Sequence, residues 1–394
     1  MYRIILSIVV VIGIVGWVIF FQLQQKKDPQ YCKTDAIDQK SYVSISLLSQ
    51  GLDTLTIKHE KLVELKLAIH EQIVGMDGFI NAIIVTLLAW GHALVEWVPW
   101  LAKTKTIRTF SELLWLDFWR IQFTPDMLPS DVTGVDVFNP ATRAFETSIG
   151  PIMTNILLAD EINRTTPKVQ AALLESMQER QVTIWGKTVK LPDPFFVLAT
   201  QNPLEQEGTY PLPEAQIDRF LCKILVWYPS LEQEREMLEK SLERLSSWVK
   251  WNVTKDPGHN TKPLDSSLRS EWRSVSSFRN DVLISQKELL QMQWEVAAVD
   301  VPSCVKDYVT RIVQETRAGH STIMYGASPR GSLSLMQASQ AVAYIQWQQK
   351  VSIHDVHMVI LLTLRHRIIL TYEAKLQNKN EDTILSEIVQ RLPF

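Results

Sequence analysis

The feature that most constrains the fold is a set of five short apolar runs between residues 73 and 229, separated by segments with helix-like spacing. Strands that alternate with helices form parallel sheets, because two parallel strands need a long crossover connection. The runs are HALVE (92–96), FWRIQF (118–123), NILLAD (155–160), FFVLAT (195–200) and CKILVW (222–227). The pattern predicts an α/β domain over residues 56–238, with a ligand site beyond the carboxyl ends of its strands.

The chain before this domain begins with a strongly apolar segment. Residues 4–21 contain 18 residues without a charge, which is close to the roughly 20 that a membrane-spanning helix needs. No small-x-small cleavage site follows them, and this favours an uncleaved anchor over a signal peptide. We therefore expect a transmembrane anchor at residues 1–25 and a polar tether at residues 26–55.

The chain after the α/β domain changes character twice. Residues 244–283 are rich in Ser, Lys, Asn and Asp, which predicts a flexible insertion or linker over residues 239–283. Residues 284–394 return to helical periodicity and predict a small all-α domain.

The turn after the first apolar run carries the first sign of chemistry. A phosphate-binding loop has the pattern G-x-x-x-x-G-K-[ST] between a strand and a helix, so that backbone N–H groups hold the phosphates. Here the Lys-Thr pair is present, but tryptophan stands at the first and fourth positions and alanine at the sixth. The candidate residues for binding ATP are Trp97, Val98, Pro99, Trp100, Leu101, Ala102, Lys103 and Thr104. Lys103 would reach the terminal phosphates, and the Thr104 hydroxyl would ligate Mg²⁺.

Two further runs end in polar residues. NILLAD is followed by a second acid, so Asp160 would hold the Mg²⁺ shell and Glu161 would polarise the attacking water. A strand that leads into an acidic helix cap would look the same. FFVLAT leads to Asn202-Pro203, where the amide could position that water, although an ordinary Asn-Pro turn also fits.

These pieces have the order and spacing of an AAA+ module, and the chain resembles the MoxR family over most of residues 73–240 and 300–375. The segments that carry the resemblance are RIQFTPDMLPSDVTG (120–134), LLADEINRTTPKVQAALLESMQERQVTI (157–184), PDPFFVLATQNPLEQEGTYPLPEAQIDRF (192–220), GASPRGSL (326–333) and LRHRIILTYEA (364–374). The resemblance implies an AAA+ parallel sheet flanked by helices, with the C-terminal all-α domain as its lid.

The resemblance also implies further site residues. Asn202 matches sensor 1, and Arg219 in Asp218-Arg219-Phe220 matches the arginine finger that acts on ATP in a neighbouring subunit. Arg330 in Ser328-Pro329-Arg330 matches sensor 2 on the lid. Ile73, Val74 and Gly75 match the adenine-side loop. Residues 125–152 match the insertion of this branch, and residues 181–191 resemble its hairpin before sensor 1.

The implied function is ATP hydrolysis coupled to remodelling, maturation or activation of a partner protein, often one with a von Willebrand A-type domain. The resemblance and the need for Arg219 to act in trans predict a hexameric ring. The apolar N-terminus would place that ring at the inner (cytoplasmic) membrane as a single-pass protein, with the ATPase domain in the cytoplasm. The net charge of −3, and a hairpin at residues 181–190 with only two lysines, argue against a nucleic-acid partner or a DNA-acting relative.

The chain departs from MoxR proteins at positions where they carry glycine. Trp97 and Trp100 hold two such positions in the phosphate loop, and the others are Trp90, Trp115, Trp185 and Trp227. The whole chain has 14 Gly and 13 Trp in 394 residues, whereas ordinary usage of about 7% would give about 28 Gly. Two explanations follow: a nucleotide-free pseudo-ATPase scaffold, or UGA codons that the cell reads as glycine and that are written here as tryptophan.

Overall fold

The structure is a computed structural model. It describes residues 48, 51–97, 103–184, 186–202, 208–226, 228, 230–255 and 283–392.

The described chain is a mixture of strands and helices. The strands are β1 (Ala93–Trp97), β2 (Phe118–Gln122), β3 (Gly134–Asn139), β4 (Ala144–Ile149), β5 (Ile156–Asp160), β6 (Gln181–Ile184), β7 (Lys187–Lys190), β8 (Phe196–Gln201), β9 (Cys222–Val226), β10 (Ile323–Tyr325) and β11 (Ile369–Leu370). The helices are α1 (Glu60–Gln72), α2 (Asp77–Leu88), α3 (Lys103–Leu113), α4 (Pro129–Thr133), α5 (Pro167–Glu179), α6 (Glu214–Ile217), α7 (Leu231–Lys255), α8 (Gln286–Ala298), α9 (Ser303–Glu315), α10 (Pro329–Ile345), α11 (Ile353–Leu364), α12 (Tyr372–Leu376) and α13 (Glu381–Arg391). Short 3₁₀ turns lie at Gly51–Thr54 and Ile162–Arg164.

The central sheet has five parallel strands in the order β2-β5-β8-β1-β9. All five residues of β5 are buried, as expected for a strand covered by helices on both faces. Each predicted apolar run became one of these strands, so the prediction of a parallel α/β sheet is confirmed. Because all five strands run in the same direction, the residues that follow β1, β5 and β8 meet at the carboxyl edge of the sheet. β2 and β9 are the two outer strands.

Two antiparallel hairpins project from this framework. β3 pairs with β4, and β6 pairs with β7. They lie in the segments that resemble the family insertion and the hairpin before sensor 1.

The C-terminal residues form the predicted helical lid, in which α10 and α11 pack closely. The N-terminal helices join it: the Lys58 N–H donates to the Ile345 carbonyl (3.0 Å), and Gln293 Nε2 donates to the Leu87 carbonyl (2.6 Å). One hydrophobic core continues from one face of the sheet into the lid, and a second lies under α5 on the opposite face. The domain limits given above stay predictions.

The membrane part of the predicted fold class is corrected. No helix among the described residues is both long and apolar enough to cross a bilayer, and the longest, α7 with 25 residues, carries several charges. The predicted transmembrane anchor at residues 1–25 lies outside the described residues. The fold class that the described residues support is a parallel α/β sheet followed by an all-α domain. The single-pass localisation at the inner membrane depended on the transmembrane helix and is withdrawn with it.

Candidate active site

The carboxyl end of β5 presents two acids that are held in different ways. The Asp160 side chain is 1% exposed, and its Oδ1 accepts a hydrogen bond from Thr200 Oγ1 on β8 (2.6 Å). The same Thr200 oxygen accepts the Glu161 backbone N–H (3.0 Å). One buried hydroxyl therefore fixes both the first carboxylate and the backbone of the second acid.

Glu161 lies in left-handed backbone, with φ 58°. This conformation is uncommon for residues other than glycine, and such strain is concentrated at functional sites. Its Oε2 accepts a hydrogen bond from Gln122 Nε2 (2.6 Å) and forms an ion pair with Arg164 Nε (3.2 Å). The carboxylate of Glu161 is thereby held at the rim of the sheet, beside that of Asp160.

Arg120 and Gln122 complete this group and were missed by the sequence reasoning. They lie two residues apart on β2, so their side chains share one face of the strand. Arg120 donates to Asp160 Oδ2 from Nε (3.1 Å) and Nη2 (2.6 Å), and Nη2 also donates to Gln122 Oε1. Polar residues at alternate positions of the apolar run FWRIQF were the available signal. We call Arg120, Gln122, Asp160, Glu161 and Thr200 the acid edge.

Asn202, the predicted sensor, directly follows β8. Because β8 pairs with β5 in register, with Ala199 opposite Ala159, Asn202 lies at the same edge of the sheet as the two acids. Its role as sensor 1 stays a prediction.

The predicted phosphate loop has the required position between a strand and a helix. β1 ends at Trp97 and α3 begins at Lys103, so the segment joins the carboxyl end of a parallel strand to a helix N-terminus. The candidate residues Val98, Pro99, Trp100, Leu101 and Ala102 lie outside the described residues, as do the side chains of Trp97 and Lys103. Thr104 is half-buried in the first turn of α3.

A cleft of about 610 Å³ lies beside the same helix. Its walls include the predicted adenine-side residues Ile73 and Val74, the end of β9 at Val226, and Lys105 on α3. Gly75 follows in left-handed backbone with φ 68°, and a β-carbon there would lie 2.8 Å from the Gln233 side chain. The chain thus turns tightly around a cleft that can hold a flat base.

The two predicted arginines lie on either side of the contact between the sheet and the lid. Arg219 donates from Nη1 to the Leu174 carbonyl (3.1 Å), and its buried Nε has no hydrogen-bond partner among the described residues. Arg330 is exposed in the first turn of α10. Among the described residues, neither guanidinium donates a hydrogen bond to Asp160 or Glu161.

Asp218, next to Arg219, ties the lid to the sheet domain. Its Oδ2 accepts from Ser328 Oγ (2.8 Å), which caps α10, and its Oδ1 accepts from Arg367 Nε (2.9 Å). The Arg367 side chain is 1% exposed and also donates to the Ser334 hydroxyl (2.9 Å) and the Phe220 carbonyl (2.7 Å). Burial lowers the pKa of Arg367, and the charge of Asp218 opposes that shift. The sequence reasoning gave Arg367 no role.

The donor set fits Mg²⁺ and ATP. Magnesium prefers oxygen ligands and is usually held by one or two protein groups together with phosphates and water. Asp160 and Thr104 offer a carboxylate and a hydroxyl at the ends of β5 and the start of α3, next to the predicted loop. The cleft beside Ile73 adds room for the base.

Comparisons with known proteins agree with this geometry. The model of the ATPase family associated with various cellular activities (AAA) matches residues 92–222, and the AAA lid domain matches residues 315–388. A crystal structure from Cytophaga hutchinsonii, described provisionally as an ATPase, superposes with a TM-score of 0.70 at 36% identity. The superposed region covers 84% of this chain and 94% of the C. hutchinsonii chain.

Two relatives are similar over most of the chain. An uncharacterized Bacillus subtilis protein, YeaC, is 43% identical over 82% of this chain and 91% of its own length. The Mycobacterium tuberculosis chaperone MoxR1 is 40% identical over 81% of this chain and 78% of its own length. The chain therefore belongs to the MoxR family of AAA+ ATPases.

Proposed function

We propose that this protein hydrolyses Mg-ATP and uses the energy to remodel, mature or activate a partner protein. The observation that carries the proposal is the acid edge, where two carboxylates lie side by side at the carboxyl end of β5, one buried and one at the rim. ATP would lie between this edge and the cleft beside Ile73, with its phosphates on the loop before α3.

Each residue of the site has a distinct role in this proposal. Asp160 and Thr104 hold Mg²⁺, which supplies positive charge to the phosphates. Lys103 contacts the terminal phosphates. Glu161 accepts the proton of the attacking water, and Asn202 orients that water. Thr200 holds the Asp160 carboxylate in place through its short hydrogen bond.

The site is completed by a second copy in a hexameric ring. Arg219 acts on the ATP of the neighbouring subunit, and Arg330 brings the lid onto the nucleotide of its own subunit. The name of the M. tuberculosis relative, a chaperone, supports a protein as the client. A protein with a von Willebrand A-type domain is the partner class that we propose.

The competing proposal is a nucleotide-free scaffold, and the tryptophans of the phosphate loop are its basis. A tryptophan at position 97 or 100 would fill space that the phosphates need. We propose instead that many tryptophans of the printed sequence are glycine in the cell, through UGA codons read as glycine.

Three helix ends support this second proposal. Trp90, Trp115 and Trp347 lie in left-handed backbone, with φ of 57°, 47° and 62°. Each is the second residue after a helix, where a Schellman motif places glycine most often and asparagine sometimes.

The hydrogen bonds at these ends are those of the motif. Trp115 N–H donates to the Glu112 carbonyl (3.2 Å), and Leu116 N–H donates to that of Ser111 (3.0 Å). The bonds of Trp90 and Gly91, and of Trp347 and Gln348, have the same spacing. Asn378, after α12, is a fourth residue with this geometry and has φ 55°.

The indoles at two of these ends are mostly exposed, and that of Trp347 also contacts the His59 ring edge-on, with 4.7 Å between the ring centroids. Trp115 is 76% exposed and Trp347 is 67% exposed, whereas a non-glycine residue in left-handed backbone costs about 1–2 kcal/mol. The backbone therefore favours glycine at positions where the printed side chain is mostly exposed. Trp347 was not among the positions that the family resemblance pointed to.

The test uses protein purified from its own organism, with peptide masses read across positions 90, 97, 100, 115 and 347. We expect glycine at these positions and release of phosphate from Mg-ATP. Lys103→Ala in that protein should abolish nucleotide binding, because the phosphates lose their main cation. If tryptophan is found at positions 97 and 100 and no phosphate is released, the nucleotide-free scaffold is the proposal that stands. Unchanged ATP affinity in the Lys103→Ala variant would refute the loop assignment.

A further inference from the structure

We propose that Arg120 is the resident counter-cation of Asp160 and competes with Mg²⁺ for this carboxylate, so that it sets the metal concentration at which nucleotide is held. The inference rests on the proposed function in one respect, namely that Mg²⁺ reaches Asp160 together with ATP. Arg120 is in this sense a positioning residue of the metal site.

The contacts of Asp160 show that both of its oxygens are engaged by protein groups. Arg120 donates to Oδ2 from Nη2 at 2.6 Å and from Nε at 3.1 Å. Thr200 donates to Oδ1 at 2.6 Å. A metal therefore meets a carboxylate that is already neutralised by a guanidinium.

Burial explains why a cation is needed at this point. The Asp160 side chain is 1% exposed, and a buried carboxylate without a counter-charge is strongly unfavourable. Arg120 supplies that charge in the metal-free protein. When a second cation approaches the same carboxylate, the two positive charges repel each other, and the binding of one weakens the binding of the other.

Exposure shows whether Thr200 or Arg120 can leave the Asp160 carboxylate. Thr200 is buried between neighbouring strands, so its hydrogen bond is fixed. The Arg120 side chain is 42% exposed and lies on β2, the edge strand of the sheet. Its guanidinium can turn into solvent without disturbing the core, because water replaces its hydrogen bonds.

The same guanidinium is linked to the second acid. Arg120 Nη2 donates to Gln122 Oε1, and Gln122 Nε2 donates to Glu161 Oε2 (2.6 Å). Departure of Arg120 would therefore also release the amide that holds Glu161. The exchange of cations at Asp160 would in this way prepare Glu161 for the attacking water.

The experiment titrates Mn²⁺ in the presence of ADP and follows bound metal by electron paramagnetic resonance, in protein with the residues found in the cell. Arg120→Gln should lower the Mn²⁺ midpoint about five- to tenfold, because a competing charge is removed. Arg120→Lys, which keeps the charge, should stay closer to the parent midpoint. Arg164→Gln removes an equal charge from Glu161 and is the matched control, for which we expect a smaller change.

A second measurement separates competition from a merely structural role. The melting temperature of the metal-free Arg120→Gln protein should fall, because Asp160 loses its counter-charge, and saturating Mn-ADP should restore it to the parent value. A fall in melting temperature with an unchanged or higher Mn²⁺ midpoint would overturn the proposal. If the parent protein binds no Mn-ADP at all, both the proposed function and the proposed role of Arg120 fail. If the parent binds Mn-ADP but the Arg120→Gln midpoint is unchanged or higher, only the role of Arg120 fails.

Discussion

The acid edge and the three tryptophan helix ends both contain residues in left-handed backbone, but they differ in what the side chain contributes. The Glu161 carboxylate accepts a hydrogen bond from Gln122 and forms an ion pair with Arg164. Trp115 and Trp347 are mostly exposed at ends where the backbone alone sets the geometry. Strain at Glu161 is therefore matched by contacts that the proposed chemistry uses. The ring contacts of Trp90 and Trp347 serve no step of the proposed chemistry, and left-handed backbone at all three helix ends points to glycine.

The prediction with the largest expected effect tests whether ATP hydrolysis at the acid edge needs Arg219 of a neighbouring subunit. Arg219→Ala should lower the rate of ATP hydrolysis by about 10³–10⁵, because an arginine finger stabilises charge in the transition state. Phosphate release measures it, with Arg235→Ala on the exposed face of α7 as control.

Mixed rings decide whether Arg219 acts in trans. Subunits with Lys103→Ala bind no ATP but carry an intact Arg219, so mixing them with Arg219→Ala subunits should restore part of the activity. Absence of any recovery in rings shown to contain both variants would place Arg219 outside this role.

The second prediction concerns the contact between sheet and lid, where a charge is buried as deeply as at the acid edge. Arg367→Met should reduce the free energy of unfolding by about 3–5 kcal/mol, because Asp218 loses its counter-charge inside the protein. Urea denaturation measures the change. Ser328→Ala removes one neutral donor to the same carboxylate and should cost about 1 kcal/mol. Equal effects of the two changes would show that the ion pair is not what holds the lid.

The prediction with the smallest expected effect concerns the tryptophans at the helix ends. In the printed sequence, Trp115→Gly and Trp347→Gly should each raise the free energy of unfolding by about 1 kcal/mol, since the relief of left-handed strain exceeds the added flexibility of the unfolded chain. Trp119→Gly is the matched control, because Trp119 is exposed but lies in extended backbone on β2. The Trp119→Gly change should lower the free energy of unfolding. Stabilisation at all three positions, or at none, would contradict the reading of the helix ends.

Much of the fold followed from local pattern, because apolar runs and helical spacing are set by neighbouring residues. The parallel sheet and the helical lid could therefore be predicted, as could the acid pair at the end of β5. The transmembrane helix, inferred from residues 4–21, was the error in that prediction. The helices of the described chain give it no support.

The missed parts of the site depend on residues far apart in the chain. Arg120 meets Asp160 across 40 positions, and Asp218 meets Arg367 across 149. No local pattern pairs such residues, because the pairing is a product of strand order and lid packing. The left-handed conformation of Trp347 could not be predicted either, because the sequence indicates such a residue after a helix only when it is glycine or asparagine.

The central claim is that the acid edge hydrolyses ATP, and Glu161→Gln tests it most directly. The variant and its parent, both with the residues found in the cell, are mixed with Mg-ATP, and bound nucleotide and released phosphate are followed together. We predict that the variant binds ATP and keeps it, with turnover lower by about 10²–10⁴, while the parent releases phosphate. Turnover of the variant at the parent rate would contradict the claim, and so would a parent protein that retains no nucleotide.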